Sequence, residues 1–312
     1  MKVIPIVFTF DNNLVMPASV CISSLLMNAD ADTFYDIYIL HSEKCDFSQT
    51  VLVEIPRHYP NCKLTFRTVD HEFITAYEIR GITTTAYYRL LIPELIPEYD
   101  KVLYSDVDVI FREDLYKYYN TNLDGFYMAA VDNASALRPT VQKYVKEKLC
   151  IDHKYGYFYS GNLVINSKKI IEDNIIPQFR ELAKKNFHQQ DMDIINIACY
   201  GKIKALTPAF CLTNYLTDLL INRKPEMLSF FTKQEIDHAL KFGIVHYNGP
   251  KPWKQNCVNF DIWWEYYRRC PFFDEAWYFD FFYKKLDEYD RLPLLKRIKI
   301  LLRYFVFGRK RD

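Results

Sequence analysis

Glycine is scarce in this sequence, 8 of 312 residues, and none occurs before Gly81. That excludes the glycine-rich N-terminal loop with which sugar nucleotidyltransferases cradle phosphate. It also marks the glycines that are present, Gly161 and Gly249 among them, as positions where the backbone needs them. The eight cysteines never fall three residues apart, so zinc-ribbon and thioredoxin-type motifs are absent. No uncharged apolar run reaches ~18 residues, which excludes a spanning helix. Residues 1–8 read as a core strand, without the cleavage site or apolar region of a signal peptide. The expectation is a cytoplasmic chain with reduced thiols. Neither sign of charge dominates, with 40 basic and 39 acidic residues, so no nucleic-acid partner is expected.

What the chain has in plenty is aromatic surface, 25 Tyr and 23 Phe, most of which a large core absorbs. Its length allows one large α/β domain plus an appendage. Short apolar runs at residues 3–10, 35–40, 62–69, 101–105, 126–131, 163–165 and 242–245 read as strands. Helical patterns lie between them: one opened by Pro17, one over residues 84–95 and one over 168–184. Strands alternating with helices predict a mostly parallel, Rossmann-like twisted sheet flanked by helices. The expected division is a catalytic domain over residues 1–265 and a helical extension over 266–312.

Ligands of open α/β sheets bind beyond the carboxyl ends of the strands. The first strand is followed by Asp11-Asn12-Asn13, the fourth by Asp106-Val107-Asp108, and the last by His246. If the fourth strand continues, Asp106 and Asp108 project to one side. There they share a divalent cation, or divide between a cation and a ribose. Carboxylates suit Mg²⁺ or Mn²⁺, and an added imidazole tilts the choice toward Mn²⁺. His246 opens the turn His246-Tyr247-Asn248-Gly249-Pro250-Lys251-Pro252-Trp253. In that turn Gly249 can bring backbone N–H groups near an anion, and Lys251 can neutralise a phosphate.

Together these stretches resemble the family 8 glycosyltransferases, the group with glycogenin and the bacterial lipopolysaccharide galactosyl- and glucosyltransferases. The resemblance runs in order over about residues 3–260. It rests on Val7–Asn13, on Thr83-Thr84-Thr85-Ala86-Tyr87-Tyr88-Arg89-Leu90 and on Tyr104–Val109. It rests equally on Phe158-Tyr159-Ser160-Gly161-Asn162, on Gln190-Asp191-Met192-Asp193 and on the His246–Trp253 turn. The resemblance implies a GT-A fold, a UDP-sugar donor, Mn²⁺ with Mg²⁺ as a substitute, and retention at the anomeric carbon. It implies metal ligation by Asp106, Asp108 and His246, and catalytic roles for Asp191 and Arg89. Donor contacts are implied for Thr9, Asp11, Asn12, Asn13, Arg89, Asp106, Val107, Asp191, Gly249 and Lys251. Within that set Asp11 and Asn13 would hold the uridine, and Arg89 and Asp191 the sugar. The expected acceptor is a saccharide or glycolipid.

Three positions depart from the family pattern. Tyr159 stands where Asn is common, Met192 where Gln is common, and the turn between Gly249 and Lys251 is one residue shorter than in some members. Two other readings fit part of the pattern. Asp106-Val107-Asp108-Val109 also fits the nucleophile motif of haloacid-dehalogenase-like phosphatases, but the motif follows three earlier strands and their Gly-Asp-x-x-x-Asp loop is missing. A non-catalytic nucleotide-sugar-binding protein would be expected to lack a metal ligand, and none is lost. Finally, Leu294, Ile298, Leu301 and Phe305 share one helical face, with Lys296, Lys299, Arg303 and Lys310 opposite. This pattern predicts peripheral contact with an anionic membrane, at its inner face.

Overall fold

The computed structural model describes residues 1–69, 72–73, 76–78, 84–134 and 137–307. Seven strands build the main sheet: β1 (Lys2–Thr9), β2 (Thr33–Ser42), β3 (Cys62–Val69), β4 (Val102–Ser105), β6 (Met128–Ala130), β7 (Asn162–Ile165) and β8 (Ile203–Ala205). Their spatial order is β3-β2-β1-β4-β7-β6-β8. All neighbours are parallel except β7, which runs antiparallel to both β4 and β6. Three short strands, β5 (Val109–Ile110), β9 (Leu212–Thr213) and β10 (Val245–His246), form a second sheet in the order β5-β10-β9.

Alternate residues of the main strands feed two different cores, as the two-residue period of a strand requires. Ile4, Ile6, Phe8, Tyr35, Ile37, Ile39 and Leu103 belong to one core. Val7, Tyr38, Leu40, Val102 and Tyr104 belong to the other. Both faces are therefore covered, the usual condition of a parallel sheet. The helix Val15–Met27 packs on the first face, with ten of its residues buried.

Two expectations need adjustment. The helical stretch over residues 168–184 is two helices, Ser167–Glu172 and Ile176–Ala183. They are separated at Asn174, whose φ is +54°, and Pro177 suits the first turn of the second. Residues 242–245 are not a strand of the main sheet. Helix Lys233–Phe242 reaches residue 242, and only Val245–His246 is extended, in the small sheet. β4 stops at Ser105, where the strand read over residues 101–105 ends, so the condition under which Asp106 and Asp108 would project to one side of a continuing strand is not met. Position 265 lies inside helix Phe260–Arg269, whose Trp263, Trp264, Tyr266 and Tyr267 are buried in the first core. Beyond it come helices Glu275–Asp290 and Leu294–Phe307. Trp277, Phe281 and Phe282 of the former stack around Trp264.

Candidate active site

The break between β4 and β5 builds the centre of the site. The chain leaves the main sheet at Ser105 and enters the small one at Val109, so Asp106, Val107 and Asp108 bridge the two. Two backbone bonds hold the bridge: Asp106 N–H donates to the Gly161 carbonyl (2.8 Å), and Tyr247 N–H to that of Asp108 (2.9 Å). β10 lies between β5 and β9, with His246 opposite Val109 and Thr213. That pairing carries the imidazole to the carboxylates. His246 Nε2 is 3.2 Å from Asp108 Oδ1 and 3.5 Å from Asp106 Oδ2.

Each carboxylate has one oxygen committed to the protein. Asp106 Oδ1 accepts from Tyr104 Oη (2.6 Å) and Arg89 Nη2 (2.9 Å), which leaves Oδ2 facing His246. Asp108 Oδ2 pairs with the Lys251 ammonium, which also donates to the Tyr247 carbonyl (2.6 Å). Burial alone would push the Asp108 carboxyl up, but Lys251 and His246 outweigh it and hold the group well below the usual carboxylate range. Burial likewise disfavours the His246 cation, yet the Asp108 charge reverses this and raises the imidazole well above its ordinary value.

The trio fits a hard divalent cation. One ligand atom from each of Asp106, Asp108 and His246 lies within 4.8 Å of the others. Two carboxylates and an imidazole match Mn²⁺ or Mg²⁺ chemistry. The space is kept open by Gly161: a Cβ there would lie 2.3 Å from His246 Cε1 and 2.8 Å from Asp106 Oδ2.

Behind this trio, Arg89 is 5% exposed and fully engaged. Its Nε donates to the Ala86 carbonyl (2.8 Å), Nη1 to that of Ser160 (2.8 Å), and the guanidinium lies 4.4 Å over the Tyr104 ring. Nη1 is also 3.2 Å from Asp191 Oδ2, so one cation links Asp106 to Asp191. The two charges are close, but no hydrogen bond to Asp191 Oδ2 forms, while Nη1 donates to Ser160. Burial raises the Asp191 carboxyl, against the pull of Arg89. Asp191 opens helix Asp191–Ala198, and the preceding Gln190 has φ +48° and ψ −119°, a conformation that L residues rarely hold.

The family model described as "Glycosyl transferase family 8" matches residues 5–257. The chain belongs to glycosyl transferase family 8. A protein of Haemophilus influenzae named "Putative glycosyltransferase" is 26% identical over 95% of this chain and 86% of its own length. "Glycosyltransferase GlyF" of Streptococcus pneumoniae is 28% identical over 84% of this chain and 60% of that protein. Among solved structures, galactosyltransferase LgtC in complex with donor and acceptor sugar analogues superposes with a TM-score of 0.69 at 26% identity, covering 88% of this chain and 99% of that one. The bifunctional glycosyltransferase WbbM superposes at 0.71 and 25% identity over 87% of this chain, which spans 50% of WbbM. The fold is therefore the GT-A arrangement expected of family 8.

The remaining expected residues of this family 8 chain distribute around the same rim. Asp11 accepts from Asn13 N–H (2.9 Å) and caps a short turn in which Asn12 and Asn13 are exposed. Thr9 is buried against Tyr104 Oη (3.1 Å), and Val107 is buried in the first core. Gly249 borders open space, since an added Cβ would meet only Asn214 Nδ2, at 3.7 Å. Thr83, in the arginine-bearing segment, lies outside the described residues.

Two of the three departures from the family pattern, Tyr159 and Met192, turn inward. Tyr159 is buried, and its hydroxyl accepts from Thr213 (3.1 Å). Met192 packs among the apolar residues of the first core and of a smaller cluster around Tyr157. Sequence reasoning passed over Tyr104, Ser160 and Cys211. Tyr104 carried one usable signal, its place two residues before Asp106.

Proposed function

We propose that this chain transfers a hexose, glucose or galactose, from a UDP-sugar to a hydroxyl of a saccharide or glycolipid acceptor, with retention at the anomeric carbon. The observation that carries this reading is the convergence of Asp106, Asp108 and His246 within 4.8 Å, at a site shared with Lys251 and with the Arg89–Asp191 ion pair. Asp106 Oδ2, Asp108 Oδ1 and His246 Nε2 would hold Mn²⁺, with Mg²⁺ as a substitute. A bound cation supplies Lewis acidity that offsets charge on the diphosphate leaving group. Lys251 adds a second positive charge beside it, and Gly249 leaves room for a phosphate to approach the backbone. Asp11, Asn12 and Asn13 line the uridine side, with Thr9 and Val107 forming the floor. Asp191 would accept from a sugar hydroxyl through Oδ2, which makes no hydrogen bond within the protein, and Arg89 would position it.

A front-face route is the favoured mechanism. Met192 has no nucleophilic oxygen. Asp193 is fully buried, and its oxygens accept from Tyr144 Oη, Tyr157 Oη and the Gln189 N–H. In this route the bond from the anomeric carbon to phosphate breaks as the acceptor oxygen bonds the same face. The acceptor proton passes to the departing phosphate. The sugar centre then has oxocarbenium character. Asp191 is the alternative, as the nucleophile of a double displacement, and a sugar trapped on it would be seen by mass spectrometry.

The C-terminal helices support a peripheral site of action at the inner face of an anionic membrane. Leu294, Leu295, Ile298, Leu301 and Leu302 are exposed rather than packed on the core, beside Lys296 and Lys299. Phe279, Tyr283 and Leu286 of the preceding helix are exposed as well. Phe305, Arg303 and Lys310 completed the pattern read in the sequence. The first two have side chains, and Lys310 the whole residue, outside the described set. No helix among the described residues is long and apolar enough to cross a membrane.

The test is a panel of UDP-sugars incubated with and without Mn²⁺, with hydrolysis and transfer followed by NMR. Mn²⁺-dependent turnover of UDP-glucose or UDP-galactose to an α-configured product is expected. Turnover of neither, or a β product, contradicts the proposal.

A further inference from the structure

His246 has two ring nitrogens, and the fold gives them different neighbours. Nε2 faces Asp106 and Asp108, as described above. Nδ1 points the other way and lies 3.5 Å from the Cys211 sulfur. Both groups are inside the protein: Cys211 is fully buried and His246 is 5% exposed. An imidazole that gives its Nε2 lone pair to a cation carries its proton on Nδ1, and that proton needs an acceptor where water is excluded. A thioether or thiol sulfur accepts weakly, but a weak acceptor is better than none for a buried N–H.

The contact is built by backbone pairing. Cys211 directly precedes β9, and His246 sits in β10, with Val245 opposite Leu212 and His246 opposite Thr213. Leu212 N–H donates to the Ile244 carbonyl (2.8 Å), and Ile244 N–H to that of Ala209 (2.7 Å). These bonds pin the two segments in register on either side of the contact. From another side the ring is closed in by Gly161, whose missing Cβ would meet both Cε1 and Nδ1. With Nε2 facing the two carboxylates, the sulfur lies against the other nitrogen.

We propose that Cys211 is a positioning residue for the metal centre: its sulfur accepts the Nδ1–H of His246, fixing the tautomer and orientation in which Nε2 binds the cation. This rests on the proposed ligation by Asp106, Asp108 and His246. Second-layer partners of this kind are worth roughly 10- to 100-fold in metal affinity.

The experiment measures Mn²⁺ affinity by electron paramagnetic resonance, without any sugar nucleotide, on the full chain. The variants are Cys211→Ala, Cys211→Val, Cys211→Ser and His246→Ala, each checked by thermal melting. Ala and Val remove the acceptor, and Val refills most of the volume in case Ala disturbs packing. Both are expected to weaken Mn²⁺ binding about tenfold. Cys211→Ser keeps an acceptor and is expected to stay within about threefold of the parent protein. Parent-like affinity in the folded Ala or Val variant overturns the proposal, and so does a Ser variant no better than Ala. His246→Ala separates the two claims. If it too binds Mn²⁺ as the parent does, the ligand assignment itself is wrong. If it loses binding while Cys211→Ala does not, only the role of Cys211 fails.

Discussion

At Gly161 the side chain that is missing decides what the neighbours can do. A methyl group there would overlap His246 Cε1 at 2.3 Å and Asp106 Oδ2 at 2.8 Å, distances at which something must move. Gly161→Ala is therefore expected to lower Mn²⁺ affinity at least tenfold while melting near the parent temperature. Calorimetric titration with Mn²⁺ checks it, and unchanged affinity would show that the cradle is looser than described. Asp106 was legible as a site residue because it follows β4, where open sheets put their sites, whereas His246 lies within β10 itself and was legible through the turn it opens. The second role of Arg89 was not legible. Nothing in its spacing shows that its guanidinium lies between Asp106 and Asp191, since that depends on a fold bringing residues 89, 106 and 191 together. The inward turn of Tyr159 toward Thr213 was hidden for the same reason.

Among the elements, the long strands β1, β2 and β3 were readable because their alternating apolar residues feed two cores. β5, β9 and β10 have two residues each, too few to carry a period, so the small sheet had no signature. Yet it is this sheet that delivers His246. The end of β4 at Ser105 matches the strand read over residues 101–105; what the sequence did not show is that the chain then enters a different sheet, because Val107, Val109 and Ile110 continue an apolar alternation across the break. Helix Asp191–Ala198 is anchored by its buried Asp193, bound by two tyrosine hydroxyls and a backbone N–H. Tyr157→Phe leaves one oxygen of that carboxylate without its partner, a loss of about 2 kcal/mol for a bond to a charged group. Urea unfolding is expected to show that loss at an unchanged m-value, and a shift under about 0.5 kcal/mol would mean the anchor lies elsewhere.

For the whole molecule, the family 8 domain and its C-terminal helices divide the work of chemistry and placement in the proposed account. Seven basic residues lie between Lys296 and Arg311, and each contributes about 1 kcal/mol near an anionic leaflet, weakened by salt. A chain ending at Pro293 is expected to lose co-sedimentation with anionic liposomes while keeping turnover on a water-soluble acceptor. Equal sedimentation of the two chains, or binding indifferent to salt, would remove the membrane from the account.

The central claim is that sugar transfer depends on the carboxylates at the β4–β5 junction, and Asp108→Ala tests it most directly. Asp108 lies between His246 and Lys251, so its loss takes away a metal ligand and the partner of the phosphate-side cation together. Measured as Mn²⁺-dependent release of UDP from the preferred donor, turnover is expected to fall more than tenfold, with the circular dichroism spectrum unchanged. Retention of more than about a tenth of the parent rate would contradict the metal site on which the account rests.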